Sequence, residues 1–431
     1  MARILPPEPN LEHLRNEAKA LLKAFRSKDH DACKTLQLLD HLKSFSTEQL
    51  LKLKLSLAQA QFALAMDYGF PSWDDLRKFV NKLRSEPEHT KPLPGALLID
   101  FVYNSKTKGN HNARSLNETL RHSGTISSYD QLMGDLGLAF ILQADSNWTA
   151  WGLPVGQLDI GWWPLDAWGT LMRLDFVGKA VGQEIKILPF ESELYSSDPE
   201  QHFKKHHAEP IQQALKSGIA PLIYFDTCFV ISGYDAGYPP ILGYCPWAKE
   251  PTLERLKEFP WHVVIPGAKT EPMPRQDADR QALEYAITLF KDEIPVKSRK
   301  CAHVPERADY LTSGTKSYDL WVSLLRDPDN WGAHYYHANV VYTLYRNRQS
   351  APPYLREMAN RHAPAASAIL LSAADIYEKA IVKIDGAVTN EKVLGTPEGR
   401  DNLASLMLQV RDIEAQAIQL LEKALFAMDS R

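Results

Sequence analysis

Cysteine is scarce in this sequence, and the few cysteines do not form the patterns that carry chemistry. The chain has 431 residues and four cysteines, none of them in a Cys-x-x-Cys pair: Cys33, Cys228, Cys245 and Cys301. Disulfide frameworks and zinc knuckles both need cysteines at characteristic spacings. The sequence therefore predicts neither, and it favours a protein of the reducing cytoplasm.

A strong charge of one sign is also missing. Lys and Arg number 49 against 53 Asp and Glu, which gives a net charge of -4. Nucleic acids and anionic lipids are recognised through clustered positive charge. No apolar run is long enough to cross a bilayer, and the first residues lack the order of a secretory signal. We therefore expect no nucleic-acid partner and no membrane partner.

Phosphate-binding and metal-binding motifs are not found either. The segment "GDLGLAF" lacks the third glycine and the Lys-Ser/Thr of a phosphate-cradling loop. His202, His206 and His207 include an i,i+4 pair, but no glutamate follows the first histidine, as a metalloprotease helix requires. His334 and His337 have no evident carboxylate partner. We interpret the first group as a surface helix face and the second as a polar-capped aromatic core segment, and we expect no metal and no cofactor.

Periodicity and composition divide the chain into four parts. Apolar residues recur at helical spacing in 10–26, and the polar, proline-containing run "RSEPEHTKPLPG" is typical of a linker. Strand and helix patterns then alternate until a helical pattern takes over, which indicates an α/β or α+β domain followed by a bundle. The predicted parts are a helical module (1–85), a linker (86–94), an α+β domain (95–273) and an all-helical domain (274–431).

The first part resembles a short helical motif that precedes bacterial ankyrin-type and unrelated domains. The resemblance is carried by Pro9-Asn10-Leu11, Ala58-Gln59 and "GFPSW", residues 69–73. Within it, Gly69 is expected to end one helix and Ser72 to cap the next. The resemblance implies a packing or protein-contact module without chemistry.

The α+β part contains segments with clear element patterns. "ARSLNETLRHSG" predicts a helix that ends at Gly124, and "PEQHFKKHHAEPIQQALKSG" predicts a single long helix. The stretch from Pro221 to Trp247 predicts two buried strands joined by a Gly-Tyr-Asp turn, and "WHVVIPG" predicts a further strand.

Several short segments of the sequence are similar to a bacterial family related to the N-terminal domain of butirosin biosynthesis protein H. The segments are "NHNARSLNETLRHSG", "SYDQLMGDLGLAF", "YFDTCFVISGYD" and "SGTKSYDLWVSLL". A more remote similarity is to papain-like peptidases that process bacteriocin leaders. The resemblance implies a papain-like fold, in which a helix packs on an antiparallel sheet. It also implies a nucleophilic cysteine at the start of that central helix, a base histidine on a later strand and an orienting Asn or Asp on the next.

None of the three family positions keeps its residue type here. Counting five residues back from Leu116 gives His111 in place of the cysteine. The histidine position holds Thr227, and the position before Pro246 holds Cys245. Because a thiolate and an imidazole are both needed for thiol-based acyl chemistry, this sequence predicts a pseudoenzyme frame rather than a thiol peptidase or acyltransferase.

Two residues remain candidates for catalysis, and seven for ligand binding. His111 lies at a helix start, where anions are favoured, and Asp226 lies at a strand head. Each candidate also has a structural alternative: Asn112 as a helix cap, Tyr234 and the tryptophans as core anchors, and cysteine as a small buried hydrophobe. Nearby Asp235 is explained as turn chemistry. The ligand-binding candidates are Asn112, Arg114, Trp148, Trp151, Thr227, Tyr234 and Cys245.

Three hypotheses for function follow. The first is a repurposed papain-like domain that binds a small molecule or peptide in the former catalytic cleft, in bacterial natural-product metabolism. The second is an acyl-transfer or amide-processing enzyme with a non-standard active site, in which His111, Asp226 or a displaced cysteine, Cys228 or Cys245, is the reactive group. The third is a protein-interaction module whose helical parts recruit partners or form an oligomer.

Overall fold

The structure is a computed structural model, which describes most of the chain. Residue contacts divide it into two compact units, Met1–Lys91 and Pro92–Arg431. The described residues are 11–39, 42–43, 45–53, 55–70, 72–84, 92–101, 110–125, 127–145, 158–159, 171–223, 229–245, 252–293, 311–328 and 334–429.

The first unit is helical, and its helix ends follow the local sequence. Ser56 accepts a hydrogen bond from the backbone of Gln59, whose side chain binds the Ser56 backbone in return, which forms a capping box. Gly69 has a positive φ of 82° after the fourth helix, and Ser72 caps the fifth through the Asp75 amide, as predicted. The helices are α1 (Leu11–Arg26), α2 (His30–Leu36), α3 (Thr47–Leu50), α4 (Leu57–Asp67) and α5 (Trp73–Arg84).

Antiparallel pairing organises the strands of the second unit. They are β1 (Leu97–Leu98), β2 (Gln143–Asp145), β3 (Leu158–Asp159), β4 (Gln183–Ile187), β5 (Leu222–Ile223), β6 (Val230–Tyr234), β7 (Ile241–Tyr244), β8 (Leu253–Arg255), β9 (Val263–Lys269) and β10 (Leu311–Ser313). The main sheet has the order β4-β9-β5-β6-β7-β8, and β1 also pairs with β6. A smaller sheet has the order β10-β2-β3.

Helices cover both faces of the main sheet and make up most of the remainder of the unit. They are α6 (His111–His122), α7 (Tyr129–Asp135), α8 (Leu171–Val181), α9 (Ser192–Ser197), α10 (Pro199–His206), α11 (Ala208–Lys216), α12 (Arg275–Lys291), α13 (Gly314–Arg326), α14 (His334–Arg348), α15 (Ala351–Ala359), α16 (Pro364–Asp385), α17 (Glu391–Leu394) and α18 (Pro397–Asp429). The unit is therefore a mixed helix and antiparallel-sheet structure, in agreement with the predicted α+β class.

Alternation along the central strands explains why their sequences are apolar throughout. Leu222 and Val230 join a core that also contains residues of α6, α8 and α12, whereas Ile223 and Ile231 join a second core with α10 and α11. Successive side chains of a strand point to opposite faces, so both faces here need apolar residues. The main sheet therefore lies between two helical layers.

One predicted helix is in fact two. The segment from Pro199 onward is divided at His207, where α10 ends and α11 begins. Pro210 has no backbone N–H to donate, and its ring crowds the carbonyl four residues earlier. The single long helix was therefore a wrong prediction.

The helical C-terminal segment shares a core with the sheet. Tyr354, Leu370 and Leu421 belong to the same core cluster as Leu222 and Val230 of the sheet. One strand, β10, interrupts the helices of this segment and pairs with β2. The segment predicted as all-helical therefore contributes to both sheets of the unit, by packing and by pairing.

Of the helices within the described parts of the chain, none combines the length and the apolar character that a membrane span requires.

Candidate functional site

The start of α6 is capped by the residue just before it. The Oδ1 atom of Asn110 accepts hydrogen bonds from the backbone N–H groups of Asn112, at 3.1 Å, and Ala113, at 3.2 Å. The cap is therefore Asn110, and the alternative that made Asn112 the cap is wrong, because the helix begins at His111 and the cap must reach the second and third helical amides.

A polar stripe on α6 is buried. Asn112, Ser115 and Thr119 are only 7%, 0% and 1% exposed, and their spacing places them on one face of the helix. Arg114 is buried as well, at 6% exposure. Burying polar groups costs free energy unless hydrogen bonds replace those to water. Both Asn112 and Arg114, two of the predicted ligand-binding residues, thus lie in a buried polar layer.

Asn110 also pairs with an asparagine at the other end of the unit's sequence. Its Nδ2 atom donates to Oδ1 of Asn347 on α14, at 3.4 Å, and Asn347 is fully buried. The capping role of Asn110 fixes the orientation of both amides, because its oxygen is committed to the helix and its nitrogen must face an acceptor. We call Asn110 and Asn347 the amide pair.

This orientation leaves a buried donor on the far side of the pair. The Nδ2 atom of Asn347 has no hydrogen-bond partner among the described residues. The hydroxyl of Thr119 on α6 is likewise buried without a hydrogen-bond partner among the described residues. Orphaned buried donors are rare in folded proteins, and they often mark a place where a water, an ion or a ligand binds.

Tyr129, the first residue of α7, completes the group around the Asn110 cap. Its hydroxyl accepts a hydrogen bond from the Asn110 backbone N–H at 2.6 Å. Burial raises the pKa of Tyr129, although the positive charges of Arg346 and Arg114 act in the opposite direction. The phenol therefore stays neutral near neutral pH, with two guanidinium groups in its electrostatic surroundings.

The end of α14 is anchored by a buried ion pair next to Asn347. Arg348 is fully buried and binds both carboxylate oxygens of Glu414 on α18. The same guanidinium donates to the carbonyls of Ala139, at 3.2 Å, and Ile141, at 2.8 Å. Its charge and donors are thus matched, which fixes the neighbouring Asn347 in place.

A second ion pair anchors the end of α7. The carboxylate of Asp135 is fully buried and accepts from both terminal nitrogens of Arg275, at 2.8 and 2.6 Å. The hydroxyl of Tyr354 donates to the same carboxylate at 3.0 Å. Since α7 begins with Tyr129, this pair holds the helix that carries the tyrosine. Both partners of Asn110 therefore come from anchored helices.

Several predicted residues lie outside the residues that the structure describes. These are Trp148, Trp151, Asp226 and Thr227. His111 is the first residue of α6, but its side chain is also outside the described part. The predicted catalytic pair of His111 and Asp226 therefore stays a prediction.

Tyr234 and Cys245 lie far apart on the β6-β7 hairpin. Tyr234 pairs with Ile241 near the turn, whereas Val230 pairs with Tyr244, the residue before Cys245. Four residues of strand separate the two positions along β6, about 13 Å at the usual rise per residue. The side chain of Tyr234 stacks on Phe203 of α10, and Cys245 packs partly against the same core. Both have structural surroundings of the kind that the alternative interpretation predicted.

Asp235 confirms the prediction of turn chemistry. Its carboxylate accepts from the Gly237 amide at 2.7 Å and forms a two-point ion pair with Arg255, at 2.6 and 2.7 Å. Burial alone raises the pKa of Asp235, but the hydrogen bonds from Arg255 and from the Leu93 and Gly237 amides outweigh it and lower that pKa. The residue fixes the hairpin turn.

The two histidine groups differ in how well they were predicted. Trp321 donates to Nδ1 of His337 at 3.0 Å in a buried environment, which confirms the interpretation of an aromatic core segment. The surface interpretation of the other group is wrong, since His202 and His207 are fully buried. Within the described ranges, no cluster of three or more His, Cys, Asp or Glu residues could hold a metal ion.

The amide pair and Tyr129 were not found from the sequence. Asn110 opens the segment "NHNARSLNETLRHSG", but no pattern links it to Asn347, which lies 237 residues further along the chain. The cap position before α6 was the one local signal that could have identified Asn110. Comparison of the chain with models of known protein families gives no match, and comparison with curated proteins gives none either. We therefore base the proposal for function on the geometry of the second unit.

Proposed function

We propose that the second unit, Pro92–Arg431, is a repurposed papain-like domain that binds a small molecule or a peptide beside the start of α6. Two features of the unit support this frame. The helix α6 packs with Ala113 and Leu116 into the core on one face of an antiparallel sheet. The start of that helix, where papain-like enzymes carry their nucleophile, also carries buried polar residues, Asn110, Asn112, Arg114 and Ser115.

The observation that carries the proposal is the orphaned amide nitrogen of Asn347. It is fully buried, and the described residues offer it no acceptor, although its oxygen is bound by Asn110. Leaving such a donor without a hydrogen bond costs about 1–3 kcal/mol, a cost that a bound acceptor group would remove. A ligand oxygen at this position therefore gains a hydrogen bond that the protein is already arranged to give.

The surroundings select the chemistry of that ligand. An amide N–H donor calls for an acceptor, and the two positive charges of Arg114 and Arg346, which outnumber the negative charge of Asp130 near Tyr129, favour an acceptor that is negative. A carboxylate or an acyl carbonyl satisfies both conditions. Small acids, N-acyl amino acids and short peptides share this group, in keeping with the proposed setting in bacterial natural-product metabolism and the cytoplasm.

The binding role needs no thiol chemistry. The resemblance places His111 where the nucleophilic cysteine would stand and Thr227 where the base would stand. A papain-type acyl transfer requires both a thiolate and a proton acceptor, so we propose binding rather than thiol catalysis for this cleft.

Thermal unfolding in the presence of a ligand panel tests the proposal. The panel contains simple carboxylates, N-acyl amino acids and dipeptides. A ligand at 100 times its Kd stabilises the unit by about 2.7 kcal/mol, which calorimetry detects as a raised Tm. Replacing the amide donor in Asn347→Leu should weaken that ligand about ten- to a hundredfold, as expected for a lost hydrogen bond to a charged group.

The matched control is Asn339→Leu, which makes the same change at an exposed position of the same helix. It should leave the ligand affinity unchanged. Equal weakening by both variants would mean that Asn347 does not touch the ligand. A panel without any stabilising member, together with purified protein that carries no small molecule by mass spectrometry, would refute the proposal.

A further inference from the structure

A short segment between β4 and α9 is held by three histidines of one helix region. The segment comprises residues 188–191, and the histidines are His202 and His206 of α10 and His207 at its C-terminal end. Leu188 of the segment and Phe203 of α10 belong to the same core on one sheet face. The histidines thus supply the polar contacts between the segment and α10, beside the apolar contacts of the shared core.

His202 acts as a hydrogen-bond acceptor. Its Nε2 atom accepts from the backbone N–H of Glu191 at 3.0 Å, so this nitrogen carries no proton and the ring proton is on Nδ1. The ring is fully buried. Protonation of Nε2 would replace an acceptor by a donor opposite another donor, which breaks the bond to Glu191.

His207 makes the complementary contact. Its Nε2 atom donates to the carbonyl of Pro189 at 3.1 Å, so the lone pair is on Nδ1. That Nδ1 is buried without a hydrogen-bond partner among the described residues. A second proton on His207 would therefore put a positive charge into the core, 4.8 Å from the ring of His202 between centroids, and only the backbone groups of Pro189 and Pro260 favour that charged form.

Other titratable groups surround the two rings. From α10 itself, Lys205 and His206 both contact the carboxylate of Glu191, at 2.6 and 3.0 Å. From α9, Tyr195 meets His202 edge to face at 5.4 Å between ring centroids. From the loop before β9, His262 stacks on Phe190 at 5.0 Å, and Phe190 in turn contacts His202 at 5.2 Å. Glu191 is the acidic member of this group, and Lys205 and His206 already share it.

We propose that His202 and His207 form an acid-sensitive clamp, which holds residues 188–191 against α10 at neutral pH and releases them as the pH falls. Release separates Leu188 from Phe203 and uncovers the apolar core on that sheet face. The third contact, between His206 and Glu191, gains charge on protonation and does not open the clamp.

The sign of the effect follows from the burial of both rings. Burial, together with the charges of neighbouring histidines, lowers the pKa of His202 to about 4 and that of His207 to about 3. The open state has ordinary histidines and binds protons more readily, so opening becomes easier as the pH drops below about 6.5. For His202 alone, the opening equilibrium rises about 20-fold between pH 7 and pH 5 by this linkage.

Hydrogen exchange of the full chain, followed by mass spectrometry between pH 7.5 and pH 5, tests the clamp. After correction for intrinsic exchange, a peptide covering 188–197 should lose protection at least tenfold at pH 5. A peptide covering 229–245, from the sheet, should keep its protection. Loss of protection in both peptides together would indicate global unfolding and would overturn a local clamp.

Two variants separate the histidines. In His202→Gln the amide oxygen can accept from Glu191 at any pH, so much of the loss of protection at pH 5 should disappear. His206→Gln, a matched change one turn along α10, should leave that loss in place. NMR titration of the wild-type protein supplies a check without variants: two histidine Cε1–H signals should show no titration above pH 5. Titration of the His202 and His207 signals with midpoints near 6.5 would overturn the proposal.

Discussion

Asn347 and Arg348 are neighbours in the sequence and are both fully buried at the end of α14, yet they differ in how completely they are hydrogen-bonded. Arg348 binds Glu414 and the carbonyls of Ala139 and Ile141. Asn347 accepts one long hydrogen bond from Asn110 and keeps its own donor without a partner among the described residues. The first residue is satisfied within the fold, and the second is not.

This difference separates what stabilises the unit from what it can bind. A charge whose donors are all matched holds two helices and a turn in one arrangement, but offers nothing to a ligand. An amide donor held rigidly and left unmatched has a cost in the free unit, which a ligand can recover. The ion pair positions the amide pair, and under the proposed function the unmatched donor of Asn347 is the group that a ligand would bind.

The largest effect should come from breaking the ion pair. Arg348→Met removes the cationic partner of the Glu414 carboxylate, which keeps the hydrogen bond from the Tyr318 hydroxyl, and it leaves two carbonyls without their donor. Removing one partner of a buried pair costs about 3–5 kcal/mol in the free energy of unfolding. Denaturant titration followed by circular dichroism measures this directly.

The matched control for Arg348→Met is Arg411→Met, an arginine of α18 that is 27% exposed in its side chain and pairs with Asp319 and Asp412. A surface pair of this kind contributes about 0–1 kcal/mol. The double variant Arg348→Met with Glu414→Leu should recover much of the loss, because it leaves no unpaired charge. If Arg348→Met costs no more than Arg411→Met, the buried pair does not anchor α14.

A smaller effect is expected where Tyr129 meets the amide pair. Tyr129→Phe removes the acceptor of the Asn110 backbone N–H while keeping the ring in the core. The loss should be about 0.5–1.5 kcal/mol in the free energy of unfolding, the usual net value of one hydrogen bond. Tyr342→Phe is the control, since that hydroxyl accepts from Arg346 on the exposed side of α14. A Tyr129→Phe variant as stable as Tyr342→Phe would mean that the amide pair does not depend on α7.

The elements of the fold were predictable where the signal is local. Apolar period fixed α1 and α6, glycine in the left-handed region ended the helices before Gly69 and Gly124, and Ser72 capped α5. Long apolar runs identified the central strands, because both faces of the main sheet are covered by helices.

The contacts that build the candidate site were not predictable in this way. Asn110 meets Asn347 across 237 residues, and no periodicity marks a polar residue that will be buried by a distant helix. The burial of His202 and His207 was missed for a related reason. The charged residues of this segment are typical of a surface helix face. In the structure the helix is divided before Pro210, and His202 and His207 contact residues 188–191.

The smallest effect on stability should come from Asn347→Leu, and this prediction tests the comparison most directly. The variant loses a hydrogen bond of 3.4 Å, at the long end of the useful range, and it also removes a buried donor that lacks a partner in the described unit. The two terms oppose each other, so the free energy of unfolding should change by no more than about 1 kcal/mol. The same denaturant titration measures it, with Asn339→Leu as the exposed control. A loss as large as that of Arg348→Met would make Asn347 a structural residue, and the amide pair would then have no donor to spare for a ligand. A neutral or stabilising result combined with weakened ligand affinity would instead separate the two roles within one turn of α14.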